Sequence, residues 1–420
     1  MKNIKANNIG PVAFFVPWYR AVNETFVSNE LLALQERGIA GSIYYEKINH
    51  QNIQPINRRL CYSARCLYSF PFRRFYRHRI ETIYAHVSFF LHRPIGYIRA
   101  TMVFFSNPTR ESLFLFVRSA LIGQRLVADN ISLIYVHDGK RISKMGIFCS
   151  YISGIPCGII FHTEYVFAHP EDLSLKIAHA SFSIFQSRYS KQYVIIRTKA
   201  TKLNQQHAHV ISSPGVNIDF FQPHRDKKPH QSIRILSVGR LEEMKGFDRL
   251  IHAVKILRNE HKDVICVIVG YGSQKTRLEQ IVRTFHLEKH VLLVGPIGHT
   301  KKFLQLMNKA DIFVLPSHID SKKDRDMQPN AIKEAMSMKL IVITSALGGI
   351  REVIQDGYNG FLIQSATSKN IVRMIKHILA LSEKEKDLIR QRARETIVKK
   401  YNEDAIIRQL ISIFHLYAKY

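Results

Sequence analysis

The feature that most constrains this chain is a regular alternation, from about residue 232 onward, of short apolar runs with longer amphipathic ones. The short runs are IRILSVGR, VICVIVG, VLLVG, DIFVLPS and IVITS. Each is too brief for a buried helix and rich in Val and Ile, so each reads as a strand covered on both faces. Helical spacing fills the intervals: from about Gly246 to Glu260, through Phe285, to Ala310, from about Pro329, and in a long tail. Strands joined by helical crossovers must pair in parallel, which predicts an α/β, doubly wound sheet of five or six strands.

A looser version of the same rhythm occupies the first half. VAFFV is a buried strand, PWYRAVNET a loop, and FVSNELLALQERG a helix ended by Gly38. SIYYE (42–46), SLIYVHD (132–138), PCGIIFHTE and SIFQS (183–187) read as further strands, and VISSPGVNIDFFQP closes the half. The polar, basic HRDKKPHQS (224–232) reads as an interdomain linker. At 420 residues the chain exceeds one typical domain. The expected division is residues 1–223, residues 232–400, and a helix over 401–420 packing back toward the first domain. Ligands of such sheets sit outside the carboxyl ends of the strands, so chemistry is expected at strand ends, across a cleft between two facing domains.

Residues about 57–126 break the rhythm. They contain twelve Arg, no Lys, and only Glu81 and Glu111 as acids, interleaved with Phe, Tyr and Leu. Two or three amphipathic helices, broken near Pro94 and Pro108, are predicted there. The whole chain carries a formal charge of +28, and both halves are basic. That field attracts polyanions, whether nucleic acid, anionic lipid or phosphorylated small molecules. Arg set among aromatic residues fits an anionic membrane surface, with Phe70, Phe72 and Phe75 at headgroup depth. Five cysteines with no C-x-x-C pair argue against a zinc site or a disulfide framework. The apolar run Val12 to Val16 is stopped by Pro17 with no small-residue cleavage site after it. It is therefore read as a strand rather than a signal peptide, and no apolar run is long enough to span a bilayer.

The densest cluster of candidate residues begins at SVGRLEEMKGFDRLI. Gly239 and Arg240 end a strand, and Lys245 with Gly246 opens the next helix. Two cations at a strand end beside a helix N-terminus make a phosphate site. The loop is neither a P-loop nor G-x-G-x-x-G. Further on, PSHIDSKKDRDMQPNAIKEAMSMKLIVITSALGGIREVIQDGYNGFLI places Asp326 before a helix and Glu334 about one turn inside it. Gly348 and Gly349 would let backbone amides approach a ligand closely.

In order and spacing, these motifs over residues 232–365 resemble the donor-nucleotide domain of retaining glycosyltransferases of family 4, which have the GT-B fold of two Rossmann-like domains. The family's E-G-x-P-x-x-x-x-E-A signature aligns with DMQPNAIKEA, Asp326 standing for the first Glu and Met327 for the Gly. VPWYRAVNETFVSNELLALQERG resembles the F-P-x-x-S-E-T-F entry of members that build bacterial exopolysaccharide and lipopolysaccharide, with Asn23 for Ser. GIPCGIIFHTEYVF resembles the family's P-x-x-x-T-x-H-x-x-D-I-F segment, with His162 kept and Tyr165 for Asp. SSPGVNIDFFQP resembles its G-V-D-x-x-x-F-x-P, with Asn217 for Asp.

The resemblance implies transfer of a sugar, with retention, from a nucleotide-diphosphate sugar to a saccharide or lipid-linked acceptor in cell-surface polysaccharide synthesis. Arg240 and Lys245, beside Gly239, would hold the diphosphate, and Glu334 would bind the ribose hydroxyls. Asp326 would bind hydroxyls of the donor sugar, and amides near Gly349 and Ile350 would meet sugar or phosphate. His162 would lie by the reacting sugar, with His137 a second candidate near the acceptor. With no D-x-D at a strand end, transfer without a metal or other cofactor is expected. So is a peripheral place on the cytoplasmic face of the inner membrane, without nucleic acid as a partner. The rivals are a GT-B nucleotide-sugar epimerase or hydrolase and a non-enzymatic nucleic-acid-binding protein.

Overall fold

A computed structural model describes residues 9–19, 25–48, 59–67, 75–168, 170, 172–223 and 232–419. The linker at 224–231, Asn23, and Phe70 and Phe72 lie outside them. The chain divides into two compact units: Met1–Ser213 with Ile407–Tyr420, and Pro214–Ile406.

The first unit is built on seven parallel strands: β1 (Val12–Tyr19), β2 (Gly41–Ile48), β3 (Ser63–Cys66), β4 (Leu133–His137), β5 (Cys157–Phe161), β6 (Phe182–Phe185) and β7 (Ala208–Val210), in the order β3-β2-β1-β4-β5-β6-β7. The second has six: β8 (Ile233–Val238), β9 (Val264–Val269), β10 (Val291–Leu293), β11 (Ile312–Leu315), β12 (Ile341–Ser345) and β13 (Phe361–Ile363), in the order β10-β9-β8-β11-β12-β13. Both are doubly wound sheets, and each reverses its strand order once, between β1 and β4 and between β8 and β11. Those reversal points are where such sheets open a crevice at the carboxyl ends. Helices cover both faces, so central strands such as β4, β5 and β12 are buried along their whole length.

Several expectations are corrected. β1 does not stop at Pro17 but runs to Tyr19. Its ladder with β4 ends at Phe15 opposite Val136, and its register with β2 passes over Pro17, so the missing amide breaks no bond of the sheet. Residues 57–126 are not helical throughout: β3 within them is a four-residue edge strand with exposed residues, so its apolar alternation is weak. The helices there run Phe75–His92, Pro94–Ser106 and Arg110–Ala128, with Pro94 at a first-turn position where its absent N–H is harmless.

The boundary between units also falls earlier than residue 223. Val216 and Phe221 sit in the second core, and the Val216 amide donates to the Tyr401 carbonyl at 2.8 Å. Chain-end residues return to the first core, where Phe414 packs on Tyr135 at 4.9 Å and Tyr417 on Phe182 at 4.5 Å.

Candidate functional site

In the second unit Gly239, Lys245 and Asp326 meet where the sheet reverses. β8 ends at Val238, and the Gly239 amide donates to Val269 at 3.0 Å, holding the turn against β9. A Cβ on Gly239 would touch the Lys245 stem at 3.5 Å, so the lysine runs along this turn. Gly246 is required where it stands: its φ is +68°, and a Cβ would lie 2.3 Å from the Pro316 carbonyl at the end of β11. The close approach of these two strand ends points Lys245 across the reversal. Its Nζ meets Asp326 Oδ1 at 2.6 Å, and Ser317 Oγ donates to the other carboxylate oxygen. Lys245, Asp326 and Ser317 are all buried, while Arg240 at the mouth of the same turn is exposed. A buried cation held by a short carboxylate contact, with a second cation in solvent beside it, suits a polyanion that approaches from outside.

Glu334 lies in the helix Asn330–Ser337 and faces a partner that the sequence reading missed. His299 Nε2 is 3.2 Å from Glu334 Oε1. Burial works against protonation of that ring, but the Glu334 carboxylate, aided by Glu403, holds its pKa above the ordinary histidine value. Its rings of contact are Phe220, Phe221 and Phe303. The neighbouring Lys333 points the other way, donating to the Pro214 carbonyl at 2.8 Å, and burial lowers its pKa to about 7. His299 follows a strand in GPIGHT, a position that strand-end reasoning could have found; Ser317, directly after β11, carries the same signal.

The glycine turn is partly corrected. Ile350 cannot offer its amide to a ligand, because that N–H donates to the Leu347 carbonyl at 3.0 Å. Gly349 stands one residue earlier, as the first cap of the short helix Ile350–Val353, and its amide takes no part in the hydrogen bonds of this turn.

In the first unit, the carboxyl ends of β4 and β5 bring His137 and His162 together. The rings stack at 5.4 Å and 9°, with His137 Nδ1 3.2 Å from His162 Nε2. Behind them lies Glu30, from the helix Thr25–Glu36. It accepts hydrogen bonds from Tyr135 Oη at 3.1 Å and from Ser213 Oγ, and lies 3.4 Å from His137 Nε2. The two rings share one hydrogen bond, whose donor follows from the tautomer each ring adopts. Burial, and secondarily the neighbouring His137, lower the His162 pKa to about 3, so the ring is neutral. Glu30, Tyr135 and Ser213 escaped the sequence reading, since their convergence depends on the order of strands. Among the described residues no His, Cys, Asp and Glu cluster forms a metal site, and no helix is long and apolar enough to cross a membrane.

Residues 220–415 match the model of glycosyl transferases group 1. The chain is 34% identical over 188 residues to the amylovoran biosynthesis glycosyltransferase AmsK of Erwinia amylovora, covering 44% of this chain and 45% of that protein. It is 23% identical over 312 residues to the UDP-Gal:alpha-D-GlcNAc-diphosphoundecaprenol alpha-1,3-galactosyltransferase of Escherichia coli, covering 70% of this chain and 76% of that one. The chain spans about half the length of the first exopolysaccharide relatives it matches. The crystal structure of Anabaena Alr3699/HepE in complex with UDP and glucose superposes with a TM-score of 0.70 at 16% identity, over 96% of this chain and 99% of that one. That likeness shows the fold: two Rossmann-like units of the GT-B type. The match to the glycosyl transferases group 1 model thus covers nearly all of the second unit of this chain.

Proposed function

We propose that the chain is a retaining glycosyltransferase of family 4 type. It would move a sugar from a nucleotide-diphosphate donor to a saccharide acceptor, soluble or lipid-linked, in cell-surface polysaccharide synthesis. The observation that carries this reading is the Lys245–Asp326 pair at the reversal of the second sheet, with Arg240 at its mouth. The relative of Anabaena holds UDP and glucose, and the relative of Escherichia coli is named for a UDP-Gal donor and a diphosphoundecaprenol acceptor, which supports the donor and acceptor classes.

In this reading Arg240 and Lys245 take the diphosphate, with Gly239 keeping the turn slim enough for its approach. When the bond from the anomeric carbon to the diphosphate breaks, negative charge collects on the leaving oxygen. Cations already in place stabilise it without reorganisation. Asp326 orients Lys245 and accepts from hydroxyls of the donor sugar. Glu334 accepts from the ribose, and the Gly349 amide meets sugar or phosphate. His162, a neutral donor and acceptor held by His137, lies by the reacting sugar. The two cations do the work that a divalent ion does elsewhere, so transfer proceeds without a metal. The Arg-rich helices of the first unit hold the enzyme on the cytoplasmic face of the membrane, where a lipid-linked acceptor is presented.

Saturation-transfer NMR against a panel of UDP-, GDP- and ADP-sugars tests this directly. One nucleotide sugar should give transfer in the wild type and lose it in the Lys245→Ala chain. Absence of any nucleotide-sugar signal would overturn the reading.

A further inference from the structure

At the edge of the first sheet where β5 and β6 begin, opposite the histidine pair, the surface forms an open pocket of about 600 Å³. Its charged lining is Arg93, Arg99 and Lys419, with no Asp or Glu among the lining residues. The first and last of these converge on one point. A Cβ built on Gly154, whose φ is +70°, would lie 1.7 Å from Arg93 Nη1 and 3.3 Å from Lys419 Nζ. Lys419 is anchored by its own backbone, whose amide donates to the Ser132 carbonyl at 3.0 Å. Burial, and secondarily Arg93, lower its pKa, as expected for a cation forced toward another cation.

Part of this charge faces the C-terminus of the helix Lys140–Ser153, which carries only about half a unit of negative charge. The Ser150 carbonyl there already accepts from Gly154 at 2.7 Å. Three full charges exceed that offset. The helix Pro94–Ser106 also begins at the pocket, without a side-chain cap, so its positive end adds to the field. Gly96 permits this approach, since a Cβ there would lie 2.3 Å from the Tyr151 carbonyl.

The pocket adjoins an apolar surface. On the helix Phe75–His92, Ile83, Tyr84 and Leu91 share a face and are 65–69% exposed. On the helix Pro94–Ser106, Ile95, Met102 and Phe105 share a face and are 65–70% exposed, and Ile95 itself lines the pocket. Large aliphatic side chains left in water over two successive helices mark a surface that something apolar covers. Nucleic acid would call for cations spaced along a track with stacking rings. Here the cations are gathered at one point and the flank is mainly aliphatic.

We propose that this pocket binds the phosphate of an anionic lipid headgroup, with the apolar faces of the two helices lying in the acyl layer beside it. The site deepens the membrane part of the proposed function and rests on it, but it is independent of the sugar chemistry at the other end of the sheet.

The test is co-sedimentation of the full chain with phosphatidylcholine vesicles, with or without phosphatidic acid or phosphatidylglycerol. The wild type should bind only the anionic vesicles. Arg93→Gln with Lys419→Gln should weaken that binding about tenfold or more, as expected for two cations near a charged surface. Met102→Ser with Phe105→Ser, on exposed positions, should weaken it through the apolar flank. Nucleotide-sugar affinity, measured on the same preparations, should be unchanged in both variants. Equal binding of wild type to neutral vesicles, or full binding by the Arg93/Lys419 variant, overturns the proposal. So does inorganic phosphate or a random RNA that the wild type binds through these cations while no vesicle binds. Loss of nucleotide-sugar binding in the wild type would instead strike the glycosyltransferase reading and leave the lipid site standing.

Discussion

The two units carry the same doubly wound sheet, yet they arm its carboxyl edge in opposite ways. The second unit places charge there: Lys245 against Asp326 at 2.6 Å, His299 against Glu334 at 3.2 Å, and Arg240 exposed in front. The first unit places a stacked histidine pair there, His137 on His162, with the Glu30 carboxylate behind it. One architecture thus carries two chemically distinct edges. Fixed charges suit the part of a reaction in which a full charge develops, whereas the neutral imidazole of the half-buried His162 suits orientation of hydroxyl groups. The charged edge therefore should respond strongly to loss of a charge, and the neutral edge only modestly to loss of a hydrogen bond.

The largest effect is expected at the cations. Arg240→Ala and Lys245→Ala should each lower turnover by roughly a hundredfold or more, the range found when one preorganised group is removed from a developing charge. Circular dichroism should show both variants folded, and a chelator should leave wild-type turnover unchanged. Full turnover in the folded double variant, or strict dependence on magnesium or manganese, would break the comparison at its charged side.

The carboxylates sharpen it next. Asp326→Asn leaves Lys245 buried without its counter-charge, so it should impair both sugar handling and the grip on the diphosphate. Glu334→Gln should mainly raise the KM for the nucleotide, since a hydroxyl loses a charged acceptor, a change of about 1.5–3 kcal/mol or tenfold and more. Identical kcat and KM changes in the two variants would remove the grounds for separate roles.

In the first unit, His137→Phe keeps a ring beneath His162 but removes the hydrogen-bond partner that orients it. The loss of one hydrogen bond of about 1 kcal/mol predicts a fall in kcat of roughly fivefold to tenfold. Because His162 stays neutral down to a pKa of about 3, its own titration should leave no break in the pH–rate profile above pH 5. A hundredfold loss in His137→Phe, or an acid limb abolished by His162→Ala, would show that the imidazoles carry charge after all.

The charged edge was largely legible in the sequence, because its residues lie in short motifs next to strand ends. Arg240 and Lys245 flank one turn, and the eight-residue step from Asp326 to Glu334 follows from a loop entering a helix. What motifs could not show was pairing. That Asp326 holds Lys245 depends on β8 and β11 being neighbours although β9 and β10 separate them in sequence, and Glu334 meets His299, which lies on a loop that follows β10. The first unit's edge was half legible for the same reason: His162 stands at a strand end, whereas Glu30 lies on a helix more than 100 residues before Tyr135 and His137, and only the order of strands brings them together. The β3 edge strand was hidden because exposed edges lack an apolar pattern. The boundary at Ser213 was hidden because the breakers at 223–232 mark a polar stretch, while Val216 and Phe221 are core residues of the second unit.

The smallest expected effect concerns the second ion pair of the charged edge. The His299 pKa is raised in the folded chain above its ordinary value of 6.5, through Glu334 and in spite of burial. A raised folded value means that protonation favours folding. The contribution is fully present below the unfolded value near 6.5 and is lost as pH rises through the folded one. The histidine side chain is 38% exposed, so screening limits the gain to about 1 kcal/mol or less. Urea unfolding of the wild type at pH 6 and pH 8 should show this small decline, and Glu334→Gln should flatten it. Since that variant removes the charged partner but keeps the volume, the difference between the two pH slopes isolates the pair from packing. A slope of opposite sign, or one unaltered by Glu334→Gln, would mean that His299 is held neutral, and the contrast between a charged and a neutral strand edge would then rest on Lys245 and Arg240 alone.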